Sequence, residues 1–240
     1  MWSRKRLDVG WADLACGVWH CLLPPTAEVR ELRRPPAFAD DVLPCLSVRS
    51  GFDLLLSVLD WPPGSEVLVS AVTIPDMVAL IEAHGLKPIP IDLTPNDMSP
   101  RIDLLRRAIT PATRAVLVAH LFGGRVDLAP IAEAAAERGL LLIEDCAQAY
   151  RGPGDVGDRR ADVSMFSFGP IKTATALGGA LLRVRDPQAL KSMHARQAAY
   201  PTQSRLKYLQ RIAKYAGLKL LSAPAPYGCL ATACRCLHVD

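Results

Sequence analysis

From residue 49 onward, segments with helical apolar spacing alternate with short segments rich in valine, isoleucine and leucine. This alternation is the strongest constraint on the fold, because strands separated by helices in this rhythm form a mostly parallel sheet covered by helices. The predicted helices are 50–61, 74–85, 99–109 and 128–139. The predicted strands are 66–72, 87–93, 113–122, 140–147, 162–168 and 179–184. The sequence therefore predicts an α/β fold.

Polar side chains follow two of these strands at the point where each strand ends. Glu144, Asp145 and Gln148 lie at the end of the strand at 140–147. Ser167 lies at the end of the strand at 162–168, and the loop GPIK leads from there to Lys172. The unbroken apolar run LLLI at 140–143 predicts that its strand is buried on both faces. Open α/β sheets bind ligands beyond the carboxyl ends of their strands, so this region is the predicted binding site.

The segments IEDCAQAY (143–150) and SFGPIK (167–172), followed by Gly178 and Gly179, carry a family resemblance. Over about residues 45–185 the chain resembles the DegT/DnrJ/EryC1/StrS sugar aminotransferases, which are fold-type I pyridoxal-phosphate enzymes. The resemblance implies a three-layer large domain with a mostly parallel sheet, pyridoxal 5'-phosphate as cofactor, and Lys172 as the catalytic residue that holds it covalently.

The resemblance also implies roles for other residues. Asp145 would face the pyridine nitrogen, where a carboxylate favours the protonated ring. Gln148 would hydrogen-bond the phenolic oxygen, and Ser167 would bind the phosphate. Ser50 and Gly51 open the first predicted helix, where free backbone amides and the helix dipole favour an anion.

Three further positions are candidates for cofactor contact. Phe52 stands where the family usually has a small hydroxyl residue, so a side-chain contact to the phosphate would be lost there. Ile74 replaces the aromatic residue that the family commonly stacks on the cofactor, which leaves aliphatic contact. His120 ends a strand and either approaches the cofactor or substrate or is a hydrogen-bonded structural residue.

The resemblance implies transfer of an amino group from an amino acid, with glutamate expected, to a keto sugar nucleotide or a similar small keto substrate. Retention of Lys172 argues against the sugar dehydratases that replace this lysine with histidine. The alternative is a shortened, weakly catalytic or non-catalytic cofactor-binding relative, or a fragment, that acts through partner binding. The family's small C-terminal domain and its Gly-x-Asn-x-Arg stretch are not found between 185 and 240. A cytoplasmic homodimer is expected.

Three domains are predicted: an N-terminal arm and helix (1–48), the cofactor domain (49–186) and a basic helical segment (187–240). The last segment holds eight Lys or Arg and one acidic residue. Within it, residues 204–221 form a predicted amphipathic helix that either packs on the protein or faces an anionic substrate or membrane surface. The N-terminal helix is expected to lie on a neighbouring subunit or, less readily, on a membrane.

The sequence also bears on two other kinds of partner, nucleic acids and metal ions. No recognisable nucleic-acid module occurs, so a nucleic-acid partner is not expected. Cys229, Cys234, Cys236 and His238 have donor types that suit zinc, but their spacing matches no closed site, and incidental cysteines are the favoured interpretation. No metal is predicted.

Overall fold

The computed structural model describes residues 7–23, 40–172 and 174–236. The chain divides into two compact units, Arg34–Tyr200 and the combination of Met1–Arg33 with Pro201–Asp240. The first unit extends beyond the predicted limits of 49 and 186, because a strand before residue 49 pairs in the sheet and a helix after residue 186 packs on it.

The elements follow one another as helices and strands in the predicted alternation. The strands are β1 (Val42–Cys45), β2 (Glu66–Ser70), β3 (Lys87–Ile91), β4 (Thr113–Ala119), β5 (Leu141–Asp145), β6 (Val163–Ser167) and β7 (Ala180–Val184). The helices are α1 (Trp11–Leu22), α2 (Val48–Leu59), α3 (Pro75–Ala83), α4 (Ile102–Ala108), α5 (Ala129–Ala136), α6 (Pro187–Gln197), α7 (Arg205–Leu221) and α8 (Pro224–Cys236). Of these, β1 was not predicted from the sequence, and α6 and α8 lie in the segment 187–240 that was predicted as helical without individual bounds for them.

The strands form one seven-stranded sheet in the order β1-β7-β6-β5-β4-β2-β3. The five strands β2 to β6 run parallel to one another. Strand β7 is antiparallel to both β6 and β1. The carboxyl ends of β4 and β5 lie side by side, with Ala119 opposite Asp145. Ser167 ends β6, which pairs with β5. This edge is where a parallel sheet collects its ligands.

Helices cover both faces of the sheet, which makes three layers. One hydrophobic cluster contains residues of α2, α3 and α6, and the other contains residues of α4 and α5. Strand β5 contributes Ile143 to the first cluster and Leu142 to the second. The predicted burial of this strand on both faces is confirmed, and so is the mostly parallel α/β fold.

In the second unit α1 and α7 pack against each other. Ile212 is buried, and its Cδ1 lies 3.0 Å from the position that a Cβ on Gly17 would occupy. Lys219 lies over the ring of Trp11, with 5.8 Å between its Nζ and the ring centroid. Because the order of contacts is reversed along the two helices, they run antiparallel. The N-terminal helix therefore contacts α7 of its own chain, and α7 confirms the helix predicted at 204–221.

No helix among residues 7–23, 40–172 and 174–236 is both long enough and apolar enough to cross a membrane. Cys229 is an exposed free cysteine on α8. The other members of the Cys/His group are Cys234, Cys236 and His238, and their side chains lie outside the described residues.

Candidate active site

A cleft of about 520 Å³ opens beyond the carboxyl ends of the parallel strands. Its walls come from the segments that follow β2, β4, β5 and β6, so the topology of the sheet brings them together. They consist of Ile74, Phe122, Gly123, Ala147, Gln148, Tyr150, Ser167, Ile171, Lys172 and Ala174. The predicted residues Gln148, Ser167 and Lys172 thus share one cleft with Ile74.

Lys172 lies in a loop that three backbone hydrogen bonds close. Phe168 donates its amide to the carbonyl of Gly179 and accepts from the amides of Ala176 and Gly178, at 2.9–3.0 Å. The Lys172 amide donates to Gly169 at 3.0 Å, which completes a turn within the loop. The Lys172 Nζ forms no hydrogen bond or close ion pair with any residue that the structure describes. The Lys172 side chain, without a hydrogen bond to any described residue, therefore lines the cleft.

Gly169 places the lysine beside the serine. A Cβ added to Gly169 would lie 3.8 Å from the Oγ of Ser167 and 3.9 Å from the Cγ of Lys172. Both side chains therefore lie within 4 Å of the same point beside Gly169. This arrangement puts a hydroxyl donor and an amine at the same end of the cleft.

Asp145 is the last residue of β5, one strand away from Ser167. Its Oδ1 accepts the amide of Ala147 at 2.8 Å. Burial raises the pKa of this carboxyl, while the Ala147 hydrogen bond and the positive charge of Lys172 act in the opposite direction. A buried carboxylate at this position gains from a cationic partner, such as a protonated ring nitrogen.

Gln148 and Tyr150 form the side of the cleft that follows β5. The Oε1 of Gln148 accepts the amide of Phe122 at 3.1 Å, which connects the segments after β4 and β5. The ring of Tyr150 packs edge-on against Phe166 and Phe168, with centroid distances of 5.7 and 5.2 Å. Tyr150 was not predicted as a site residue, although it ends the IEDCAQAY segment that carries the resemblance.

His120 lies behind the cleft rather than in it. It is buried, its Nδ1 accepts the amide of Val126 at 3.1 Å, and its Nε2 lies 2.9 Å from the Oε2 of Glu144. Because Nδ1 is an acceptor, the hydrogen sits on Nε2 and is donated to Glu144, which leaves the ring neutral. This geometry favours the interpretation of His120 as a hydrogen-bonded structural residue over an approach to the cofactor.

Glu144 is the centre of a buried polar network. Burial raises its pKa, but hydrogen bonds from His120, Ser164 and the Asp158 amide outweigh that effect, so the pKa lies below its usual range. Arg125 approaches the same carboxylate at 3.5 Å. Neighbouring residues of a strand face opposite sides of the sheet, so Glu144 lies on the side away from Asp145. Its hydrogen bonds there connect β5 with the segments that carry His120, Ser164 and Asp158.

A metal site could be sought at this network, because donor atoms of His120, Glu144 and Cys146 lie within 4.8 Å of one another. Both imidazole nitrogens already form hydrogen bonds. Burial and the Glu144 charge raise the pKa of the Cys146 thiol, which keeps it protonated. A protonated thiol is a poor metal ligand, so we interpret the cluster as a hydrogen-bonded network.

The helix start at Ser50 and Gly51 differs from its prediction. Helix α2 begins at Val48, and the N-cap residue Ser47 accepts the Ser50 amide at 3.1 Å and the Gly51 amide at 3.1 Å. The expectation that these two amides are free is wrong, because the helix starts two residues earlier than predicted. Phe52 is fully buried in the core, so it offers no side-chain contact to the cleft.

Gly51 has a packing role instead. A Cβ at this position would lie 2.4 Å from the Cδ1 of Leu182 and 3.1 Å from the Sγ of Cys45. The absence of a side chain lets α2 approach β7 and β1 closely. Neither Ser50 nor Gly51 lines the cleft.

With this geometry in place, comparison with known proteins identifies the family. The sequence matches the DegT/DnrJ/EryC1/StrS aminotransferase family over residues 39–219. The chain belongs to this family. The match spans all seven strands and confirms the resemblance seen in the sequence.

Two similar proteins are named as aminotransferases of dTDP-linked trideoxy sugars. The dTDP-4-dehydro-2,3,6-trideoxy-D-glucose 4-aminotransferase of Saccharopolyspora spinosa is 34% identical over 149 residues, which are 61% of this chain and 38% of that protein. The dTDP-3-amino-3,4,6-trideoxy-alpha-D-glucose transaminase of Micromonospora megalomicea subsp. nigra is 31% identical over 173 residues, which are 70% of this chain and 46% of that protein. The chain thus spans less than half the length of these relatives.

Solved structures support the same fold. The aminotransferase TlmJ from Streptoalloteichus hindustanus superposes with a TM-score of 0.70 at 28% identity, over 82% of this chain and 56% of that one. The sugar aminotransferase CalS13 from Micromonospora echinospora gives a TM-score of 0.64 at 29% identity, over 82% of this chain and 57% of that one. The α/β architecture is therefore that of the family.

Proposed function

We propose that this chain forms the cofactor-binding part of a pyridoxal-phosphate aminotransferase that acts on a keto sugar nucleotide or a similar small keto substrate. The observation that carries the proposal is the free amine of Lys172, which shares one cleft with Ser167 and Gln148 at the strand ends beside Asp145. Family membership supports an aminotransferase, and the names of the relatives that act on dTDP-sugars support the substrate class.

The residues present fit most of the cofactor. Lys172 offers an amine for covalent attachment, and Ser167 offers a hydroxyl to the phosphate. Asp145 offers a buried carboxylate to the ring nitrogen, and Gln148 offers its amide to the phenolic oxygen. Ser50 and Gly51 remain candidates for the phosphate, but their engaged amides do not support that role. When bound, the cofactor supplies an aldehyde for attachment and an electron-withdrawing ring for the chemistry at the substrate carbon.

Each side chain then has a defined task. Lys172, in its hydrogen-bonded loop, would give and take the proton at the reacting carbon as a general acid and base. Asp145 keeps the proton on the ring nitrogen, because a carboxylate nearby favours the cation. Ile74 and Tyr150 contribute apolar surface to the lining of the cleft, which would limit the access of water. Glutamate is the proposed amino donor, and the proposed compartment is the cytoplasm.

A homodimer is part of this proposal. The rim of the cleft carries Phe122 and Ile171, which are 77% and 81% exposed although both are large and apolar. A partner subunit over the cleft would cover them and complete the site. Analytical ultracentrifugation of the chain tests this part, and a purely monomeric protein at high concentration contradicts it.

A second candidate is a relative that binds the cofactor without transferring an amino group. The occupied amides at Ser50 and Gly51 favour it, because the phosphate then has fewer donors than expected. The buried side chain of Phe52 favours it for the same reason. The two candidates share the cofactor and differ in turnover.

One experiment tests both. The chain is purified with pyridoxal phosphate, the visible absorbance of lysine-bound cofactor is recorded, and borohydride reduction followed by peptide mass spectrometry locates the attachment. We expect the adduct on Lys172, its loss in Lys172→Ala, and its retention in the matched control Lys191→Ala, which changes an exposed lysine of α6. An adduct elsewhere, or none in the wild type, contradicts cofactor binding through Lys172.

Addition of glutamate to the loaded protein separates the candidates. Conversion of the absorbance to that of the amine form of the cofactor is expected for the aminotransferase. Binding of cofactor that no amino acid converts would leave the non-catalytic candidate. Conversion by another amino acid but not by glutamate would correct the donor alone.

A further inference from the structure

Arg125 and Asp155 form an ion pair beside the cleft that has no part in the proposed chemistry. Both side chains are nearly buried, with 12% and 11% of their surface exposed. Arg125 lies in the loop after β4, and Asp155 lies in the segment 146–162 between β5 and β6. Neither side chain lines the cleft. Burial of a charged pair is costly unless its hydrogen bonds are complete, so its partners indicate what the pair holds in place.

Arg125 contacts the backbone between two residues of the cleft. Its Nε donates to the carbonyl oxygen of Ala149 at 3.0 Å. Ala149 separates Gln148 from Tyr150, and both of these residues line the cleft. The Nη2 of Arg125 donates to Asp155 at the same time, because the N–H groups of a guanidinium are fixed in a fork that points in two directions. The backbone that carries Gln148 and Tyr150 is therefore tied to the loop after β4.

Asp155 extends this contact to the other side of Tyr150. Its Oδ2 accepts the amide of Arg151 at 2.8 Å, and its Oδ1 accepts the amide of Gly157 at 3.1 Å. The segment 146–162, which the structure describes in full, contains no helix or strand. A backbone without a regular hydrogen-bond ladder depends on contacts of this kind for its path. The residues before and after Tyr150 are therefore both held by the ion pair.

The loop that carries Arg125 has hydrogen bonds of its own. The buried ring of His120 accepts the amide of Val126 at 3.1 Å, directly after Arg125. The Gly124 amide, directly before Arg125, donates to the carbonyl of Leu121 at 2.9 Å. Arg125 therefore extends from a loop that is closed on both sides of it.

Gln148 is held by this loop at two points. The Phe122 amide donates to its Oε1 at 3.1 Å, and Arg125 holds the next carbonyl along the chain, that of Ala149. When the oxygen of a side-chain amide is occupied, its –NH₂ group is the part that remains to bind a ligand. The orientation of Gln148 as a donor in the cleft therefore depends on both contacts.

We propose that Arg125 is a positioning residue for Gln148. By holding Ala149, it keeps the Gln148 amide where it can donate to an anionic oxygen of a ligand in the cleft, and Arg125 itself does not touch that ligand. In the proposed function this oxygen is the phenolic oxygen of the cofactor, so that part of the inference rests on the proposed function. The effect of Arg125 on the protein without cofactor does not, and the two parts are measured separately.

Hydrogen exchange of the full chain without cofactor tests the positioning. Arg125→Met removes every donor of this side chain and keeps an apolar stem in its place. We expect the Phe122 amide, which reports the contact with Gln148, to exchange at least about tenfold faster, because a hydrogen bond with a charged partner contributes about that factor. The Gly124 amide should keep its protection, since it donates to Leu121 within the same loop.

Arg160→Met is the matched control. Arg160 pairs with Asp158 and Asp127, so it also connects the segment 146–162 with the chain after β4, but its side chain is 46% exposed. We expect this variant to leave the exchange of the Phe122 amide unchanged.

Two results of the exchange experiment would overturn the proposal. If the Phe122 amide exchanges in Arg125→Met as it does in the wild type, Gln148 is held without Arg125. If the Phe122 and Gly124 amides accelerate equally, the whole loop has opened and Arg125 serves stability alone. Should Arg125→Met fail to fold because Asp155 is left as an unpaired buried charge, the double variant Arg125→Met with Asp155→Asn removes both charges and is judged by the same two results.

The visible absorbance of the chain loaded with pyridoxal phosphate is the second measurement. A hydrogen bond to an anionic oxygen favours its charged form, so Gln148→Ala should shift the pH midpoint of the absorbance of lysine-bound cofactor by about 0.5–1 pH unit. We expect Arg125→Met to shift the midpoint in the same direction. The double variant should shift it no further than Gln148→Ala alone, because both changes remove the same contact.

The outcomes of this second measurement separate the inference from the proposed function. Additive shifts, or a shift in Gln148→Ala that Arg125→Met does not share, would overturn the proposal that Arg125 acts through Gln148. A chain that binds no pyridoxal phosphate would refute the proposed function, and the exchange of the Phe122 amide would then decide the positioning role of Arg125 by itself.

Discussion

Replacing Gly51 with alanine separates the two roles that a glycine can have at this position. If Gly51 serves only the cofactor phosphate, the variant should weaken cofactor binding and leave the apo-protein at least as stable as before. If it serves packing, the apo-protein itself should lose stability. The structure supports packing, because a Cβ there would lie 2.4 and 2.9 Å from the two Cδ atoms of Leu182.

The magnitude follows from two opposing effects. Alanine in a helix interior is favoured over glycine by about 1 kcal/mol. Overpacking a buried site costs about 1–3 kcal/mol, and Leu182 is fully buried, so it has no free space into which to move. The upper part of that range applies because the contact is far shorter than van der Waals distance. We expect a net loss of about 1–2 kcal/mol in the free energy of unfolding.

Urea denaturation of the apo-protein, followed by circular dichroism, measures the loss. A change of this size moves the midpoint down by roughly 0.5–1 M for a typical urea dependence. Gly217→Ala is the matched control, because Gly217 lies within α7 and a Cβ there would meet no atom within 4 Å. That variant should gain up to about 1 kcal/mol. A Gly51→Ala protein as stable as the control, with weaker cofactor binding, would refute the packing role.

Two adjacent carboxylates should respond to pH in opposite senses. The pKa of Asp145 is raised in the folded protein, so its contribution to stability is complete at low pH and is lost as the pH rises through that raised pKa. Asp145→Asn should therefore be more stable than the wild type towards neutral pH. The pKa of Glu144 is lowered in the folded protein, so its contribution to stability is present above the usual glutamate pKa and is lost as the pH falls through the lowered pKa. Glu144→Gln should therefore reduce the free energy of unfolding by about 1.5–3 kcal/mol at neutral pH and by less in acid. Urea titrations across the acid range check both, and parallel pH profiles for wild type and either variant would contradict the assignment.

The sequence was sufficient for the elements whose signals are local. Strand β5 was predicted because its apolar run is unbroken, which is typical of a strand buried on both faces. Lys172, Ser167 and Gln148 were named from the family resemblance, and the structure places all three in the lining of one cleft. The helix of 204–221 was recognisable from its spacing alone. Elements with periodic or motif signals are therefore predictable from one sequence.

The missed features depend on contacts between distant segments. Strand β1 has only four residues, one of them proline, and it is defined by pairing with β7. The start of α2 was misplaced because Ser47 caps the helix, whereas Ser50 was taken as the first residue. His120 was ambiguous, since its partner Glu144 lies 24 residues away and becomes adjacent only when β4 and β5 pair.

The alternation along β5 also restricts how this chain can change. Leu142 and Glu144 face one side of the sheet, and Ile143 and Asp145 face the other. Insertion or deletion of a single residue in β5 would slip the register by one and exchange the two sides. The slip would move the hydrogen-bonded glutamate to the cleft and the aspartate into the network behind it. A point substitution near this strand changes one side chain, whereas a change in the length of β5 would disrupt both the buried network of Glu144 and the position of Asp145 beside the cleft.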